Sequence, residues 1–408
     1  MRRRRSLTHV GGVAETSGDR ELAAALARAV DVPQAPEAGE DPSRAHVHGF
    51  HTYPARMHPL TAARLLGAVS APGAAVLDPF CGSGTVLVEA MIAGRRATGT
   101  DLNPLAVRIA HLKTQPADER WREGFVAAAR EVSAFADERR ARRAGATRRY
   151  PPEDVAAFDP HVLLELDSLR AGVDARGGAD ATMKSALELA LSSILVKVSR
   201  RASDTSGGAS PRRIAAGFPA RLFSRRAAEL ARQMGEFAAL VPPGTPAAHV
   251  ALDDARRLRS VGASTVDAVV TSPPYAGTYD YLAHHALRLR WLGLDARPFA
   301  EGEIGARRRY APLPAREARE AWMDEIRGTL RALLRVCRKG ARVALVLGDS
   351  ALRGEALRAD AAVAAVAPEA GFALLARASQ RRPHFDDVSA RAFRDAPRGE
   401  HAMVLEKR

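Results

Sequence analysis

Two short polar turns carry the residue types that can do chemistry in this chain. The first, Thr271-Ser272-Pro273-Pro274-Tyr275, ends the apolar run Val266 to Val270. It brings a hydroxyl, stiffened backbone carbonyls and an aromatic face close together, a set suited to a planar exocyclic amine. Such an amine is a poor nucleophile because its lone pair is delocalised into the ring. Ser272 and the Pro273 carbonyl would accept its two hydrogens and localise that pair for attack on an electrophile. Tyr275 would stack on the base that bears the amine, a contact of roughly 1–3 kcal/mol.

The second turn, Asp78-Pro79-Phe80-Cys81-Gly82-Ser83-Gly84-Thr85, follows a short apolar strand and opens a helix over residues 85 to 93. Free N–H groups at a helix start and the missing Cβ atoms of Gly82 and Gly84 let a ligand come close. The turn has no lysine of the phosphate-loop type, which disfavours nucleoside triphosphate hydrolysis. A dinucleotide fingerprint needs a third glycine where Val86 and Leu87 stand. A nucleoside fits, with another nucleotide or a purely structural turn left open. Asp101 ends the next strand, 23 residues after Asp78, where such sites set a carboxylate for ribose hydroxyls. Its other reading is an N-cap for the helix beginning near Pro104.

Cys81 and Cys337 offer no thiolate nucleophile in a Pro-Cys setting, so chemistry at cytosine C5 is excluded. His46, His48, His51 and His58 fit no standard metal spacing and have no cysteine partners nearby, so no metal site is expected.

These turns need a frame. Residues 1–44 lack sustained periodicity apart from a short helix over Arg20 to Val30, and read as a mobile leader. Residues 45–114 alternate helix, strand, helix, strand and helix, which predicts a parallel sheet covered on both faces. Residues 115–248 turn helical and Arg-rich, an insertion that suits target recognition. Residues 249–408 resume the sheet pattern, for about seven strands in all. Apolar content of 46% and charged content of 26% are those of a soluble globular chain, without a run able to span a bilayer. Absence of a secretory pattern after the opening arginines places the chain in the cytoplasm. Its net charge of +14 favours a polyanionic partner, although only five of 61 basic residues are lysine, as in chains of GC-rich genomes.

The paired turns resemble those of S-adenosylmethionine-dependent amino-methyltransferases of DNA, over residues 46–112 and 249–406 in the alpha-type order. The resemblance implies a doubly wound, seven-stranded, mostly parallel Rossmann-like sheet with an antiparallel last strand. It implies S-adenosylmethionine as cofactor, held by Asp78, Phe80, Gly82, Gly84, Thr85 and Asp101. The segment His51-Thr52-Tyr53-Pro54-Ala55-Arg56-Met57-His58-Pro59 is similar to one that closes the methionine end of the pocket in that family, through Tyr53 and Pro54; the alternative is a stiff entry to the following helix. In Leu252-Asp253-Asp254-Ala255-Arg256 the family pattern gives Asp254, then Asp253, to the adenine amine; the alternative is pairing with Arg256 or Arg257. Ser272 in place of Asp or Asn tilts the target toward cytosine N4, with adenine N6, an RNA base such as tRNA guanine N2, and a silent binding subunit as alternatives. Arg200 and Arg201 in the insertion, and Tyr279 and His284 after the catalytic turn, are candidates for nucleic-acid contact, the latter pair equally readable as helix surface. DNA is the implied partner, with a restriction endonuclease as a companion.

Overall fold

The computed structural model describes residues 13–32, 41–176, 180–203, 213–384 and 387–408. Apolar runs buried on both faces favour a parallel sheet with helices on either side. Strand β1 (Glu15–Gly18) and helix α1 (Arg20–Val30) come first, followed by α2 (Pro59–Val69), β2 (Ala75–Asp78), α3 (Thr85–Ile92), β3 (Arg96–Asp101) and α4 (Pro104–Thr114). The inserted helices are α5 (Glu119–Ala141), α6 (Pro152–Ala157), α7 (Pro160–Arg176), α8 (Ala181–Leu195) and α9 (Phe218–Leu240). The sheet resumes with β4 (His249–Leu252) and β5 (Val266–Thr271), then α10 (Tyr281–Trp291), α11 (Arg297–Gly302), α12 (Arg307–Tyr310) and α13 (Ala315–Val336). Strand β6 (Cys337–Gly348), the hairpin β7 (Ser350–Leu352) and β8 (Glu355–Leu357), α14 (Ala359–Val366), β9 (Phe372–Arg381), α15 (Asp387–Ala392) and β10 (Gly399–Lys407) complete it.

The main sheet runs β1-β9-β10-β6-β5-β2-β3-β4. Pairings from β4 through β6 are parallel, and β10 lies antiparallel to both β6 and β9, as the resemblance implied. Alternation along the strands sorts the core. In β6, Ala344 and Val346 face one layer, while Val343, Leu345 and Leu347 face the other with α13 and α14. The first layer also takes in α1 to α4 and the inserted helices, so the insertion shares its core with the cofactor half.

One expectation needs correcting. The described part of the leader expected over 1–44 is built into the fold: β1 pairs antiparallel with β9 as an eighth strand, from Glu15 against Ser379 to Gly18 against Ala376. Helix α1, capped by the Asp19 carboxylate accepting from the Leu22 N–H at 2.9 Å, buries Ala23, Leu26, Ala29 and Val30. A four-residue strand exposed along its length carries no alternating pattern, which is why the sequence hid it. Leu26 is fully buried. Leu26→Ala is expected to lower unfolding free energy by about 2–5 kcal/mol in urea titrations, the usual result of a core cavity; an effect near zero would mean that α1 is not part of the cooperative fold.

Candidate active site

Doubly wound sheets open a crevice where neighbouring strands send their connections in opposite directions. Here that point lies between β2 and β5, which pair in parallel at Val76 with Ala268 and Leu77 with Val269. Their ends are tied together: the Thr271 hydroxyl donates to the Asp78 carboxylate at 2.6 Å, and the Phe80 N–H donates to the same oxygen at 3.1 Å. The glycine turn and the Ser-Pro-Pro-Tyr turn therefore leave adjacent strand ends on one side of the sheet. Between them is a cleft of about 850 Å³.

Asp78, Phe80, Gly82, Thr85, Asp101, Asp253, Asp254, Ser272, Pro274 and Tyr53 line this cleft; Pro54, Gly84, Pro273 and Tyr275 do not. The two glycines do different jobs. Gly82 adopts a φ of 49°, and a Cβ there would stand 3.2 Å from the Tyr53 ring, so it keeps the wall open beside that ring. Gly84, at φ 84°, caps α3, and a Cβ would meet Ala110 of α4 at 3.1 Å, so it serves helix packing.

Asp101 accepts from the Gly82 N–H at 2.9 Å and from the Asn103 N–H at 2.8 Å. The cap of α4 is Asn103, whose side chain accepts from the Leu105 N–H, so Asp101 is not that cap. Burial raises its carboxyl to about 6 and that of Asp78 to about 7, against the hydrogen bonds that favour ionisation. The Ser83 and Thr85 hydroxyls are buried at the cleft with no partner among the described residues. Orphaned hydroxyls at a helix start make a cradle for a polar ligand group.

The β4 end differs from the family pattern. Both oxygens of Asp254 are engaged by Arg256, at 2.9 and 2.8 Å, and this pairing holds its carboxyl low against the opposing effect of burial. Asp253 accepts from the N–H and hydroxyl of Ser260, both at 2.7 Å. The pairing alternative for Asp254 is thus the one seen, though both acids face the cleft.

At the Ser-Pro-Pro-Tyr turn, the Ser272 hydroxyl donates to the Val346 carbonyl at 3.0 Å. Donation to β6 leaves its lone pairs as acceptors, with Tyr275 also within hydrogen-bond reach. The Trp322 indole donates to the Pro274 carbonyl at 3.2 Å and fixes the turn from α13. Tyr275 lies against Gly348, where a Cβ would come within 2.6 Å of the ring, and its hydroxyl donates to Glu400 at 3.1 Å. Glu400 is gripped in turn by the buried Arg382 at 2.6 and 3.0 Å.

Beyond the turn a second cleft, of about 1100 Å³, takes Tyr279 together with Thr278, Arg307, Ser350 and Arg353. His284 packs edge-on to Tyr279 and lines neither cleft. The helix surface expected there is only partly so, because α10 buries His285 and Arg288 besides Leu287 and Leu289. Arg200 pairs with Asp159 at 2.8 Å, away from both clefts, and the Arg201 N–H bonds Ser199. Asp204 to Ser206, which continue the stretch Ser199-Arg200-Arg201-Ala202-Ser203 expected at phosphates and bases, lie outside the described residues.

Tyr281, which the sequence offered with Tyr279 for the base pocket or its approach, lines the cleft; sequence reasoning missed the wall formed beside it by Phe299, Gly302, Glu303 and Ile304. Gly302 was a usable signal, since a Cβ there would collide with Leu102. It also missed that His46 and His48 gather with Glu89, His48 bonding Glu89 at 2.7 Å. Burial above all, with the buried Lys113 adding to it, lowers the basicity of both histidines.

Strand order and cleft are those of a doubly wound, Rossmann-like sheet. Residues 34–112 match a family model described as DNA methylase, a stretch that contains Tyr53, the glycine turn and Asp101. That segment is similar to DNA methylases. The chain is similar to Type II methyltransferase M.MjaII of Methanocaldococcus jannaschii, 38% identical over 73 residues, which are 18% of this chain and 14% of that one. Type II methyltransferase M.MvaI of Kocuria varians is 42% identical over 72 residues, 17% of this chain and 16% of its own. The chain thus matches about a sixth or less of the length of these curated relatives. TrmN from Thermus thermophilus aligns over 86% of this chain and 49% of its own at 16% identity, with a TM-score of 0.31.

Proposed function

We propose that the chain binds S-adenosylmethionine in the cleft and methylates the exocyclic amine of a DNA base, cytosine N4 before adenine N6. The observation that carries this reading is the Ser272 hydroxyl, its proton given to Val346, at the lip of a cleft whose other wall is the glycine turn. A serine so arranged accepts a hydrogen bond from an amine, and the Pro273 carbonyl beside it accepts a second. The cofactor supplies an electrophilic methyl on a sulfonium. Ser83 and Thr85 hold its polar end, Gly82 leaves it room, Tyr53 walls it, and Asp101 takes the ribose. Asp254, already held by Arg256, offers remaining lone pairs to the adenine. Tyr275 stacks on the base, Tyr279 lines the approach, and Arg200 and Arg201 act at phosphates.

A companion restriction endonuclease belongs to the same proposal. No described helix is long and apolar enough to cross a membrane, and the reading places the protein in the cytoplasm with DNA. The test is to incubate the protein with labelled cofactor and either genomic DNA or total tRNA, then identify modified nucleosides by mass spectrometry. N4-methylcytosine is expected; N6-methyladenine moves the target within the reading, and label confined to tRNA removes it.

The acids set a pH dependence. Because burial raises Asp78 to about 7, the folded chain holds that proton more tightly than the unfolded one. The stability it contributes is full below about pH 4 and is lost as pH rises through 7. The cofactor's positive charge favours the ionised acid, so its affinity rises over the same interval. Calorimetric titration near pH 6 and near pH 8 is expected to show tighter binding at the higher value. Asp78→Asn is expected to flatten that difference, and a wild-type affinity independent of pH would remove Asp78 from this role.

A further inference from the structure

The wall of the cleft that includes Tyr53 is conformationally costly. His46, His51 and Ala55 have φ of 32°, 61° and 53°, three non-glycine residues in the left-handed region within ten positions. Each costs on the order of 1 kcal/mol or more and persists only where its surroundings over-determine it. Much of what determines it here comes from far along the chain. The buried His51 ring bonds the Ser192 hydroxyl of α8 through Nε2 at 3.0 Å and its own neighbour's carbonyl, that of Thr52, through Nδ1 at 2.9 Å. Arg288 of α10, itself buried, donates to the Thr52 hydroxyl at 2.9 Å and to the Ser192 carbonyl at 3.3 Å. His285, one turn earlier on α10, stacks on Tyr53 with ring centres 4.7 Å apart.

Resting on the cofactor reading above, we infer that Ser192 of the inserted helix α8, with His51 and Arg288, braces the strained segment so that Tyr53 stands against the cofactor beside Gly82. These three are positioning residues. None lines the cleft, and each acts through the backbone or ring that does. The inserted region thereby belongs to cofactor binding, a role that its placement between the two halves of the sheet did not disclose. A strained segment released from its brace relaxes to ordinary dihedrals, and the bound state must then restore them at the expense of affinity.

The test uses the full chain and calorimetric titration with S-adenosylmethionine. Ser192→Val, which lacks the hydroxyl and matches Ser192→Thr in size, is expected to weaken binding about tenfold, while kcat for methyl transfer to DNA at saturating cofactor stays within about twofold. Ser192→Thr, which keeps the hydroxyl, is expected to restore wild-type affinity. A folded Ser192→Val protein with unchanged affinity, or a Ser192→Thr protein as weak as Ser192→Val, overturns the brace. Should Ser192→Val not fold, Arg288→Met is read by the same criteria. Wild-type protein that binds no S-adenosylmethionine would sink the reading beneath and the brace with it, whereas normal wild-type binding with unmoved variants sinks the brace alone.

Discussion

Ser272→Ala is expected to lower kcat by about 10²–10³ while leaving the dissociation constant for S-adenosylmethionine within about twofold. The reason is the direction of one hydrogen bond. Ser272 gives its proton to the Val346 carbonyl at 3.0 Å, so what it shows the cleft is an acceptor. Alanine removes that acceptor and leaves the backbone intact, because Trp322 still holds the Pro274 carbonyl. An amine with one hydrogen unsatisfied keeps its lone pair in the ring, and the barrier rises. Single-turnover transfer of labelled methyl groups to DNA reads the chemical step, and calorimetry reads the cofactor. Equal loss of both would mean that Ser272 shapes the cofactor pocket; retained transfer would mean that another acceptor does the work.

Gly348→Ala is expected to raise KM for DNA roughly five- to a hundredfold, in line with a stacking contact of roughly 1–3 kcal/mol. Its site is 76 residues from Ser272 in the chain and shares no motif with it. A methyl at Gly348 would stand 2.6 Å from one Tyr275 ring carbon and 2.9 Å from the next. The ring has no easy retreat, for its hydroxyl is tied to Glu400 and Glu400 to Arg382. Displacing the ring breaks that chain and tilts the face that would receive the base. Cofactor affinity, measured on the same protein, is expected to hold. An unchanged KM for DNA would take the stacking role from Tyr275 and leave it a structural tyrosine.

Both expectations use residues that were legible together with residues that were not. The glycine turn could be read because tight chain reversal before a helix demands particular local residue types. Ser-Pro-Pro-Tyr was legible for the same reason, being a short stretch whose stiffness and polarity are intrinsic. The parallel order of β2, β3 and β5 followed from helices alternating with apolar runs. By contrast β1 is four exposed residues whose partner lies more than 350 positions away, and no local pattern announces such a pairing. Asp254 could be placed at a strand end, but whether it faced a ligand or its own Arg256 depended on how the turn after β4 folds back.

The amino-acid sequence by itself determined which chemistry was on offer: a nucleoside-sized turn, an acceptor pair for an amine, no thiolate for attack on carbon. It did so because those properties reside in residue types and in spacings of a few positions. Tertiary structure decided which atoms serve. The tie from Thr271 to Asp78 joins the two turns across 193 residues, Val346 orients the Ser272 proton, Gly348 seats Tyr275, and an inserted helix holds the wall bearing Tyr53. Each is a contact between segments distant in the chain. Their meeting is set by strand order and by two-sided packing of the sheet, which no local stretch of residues encodes.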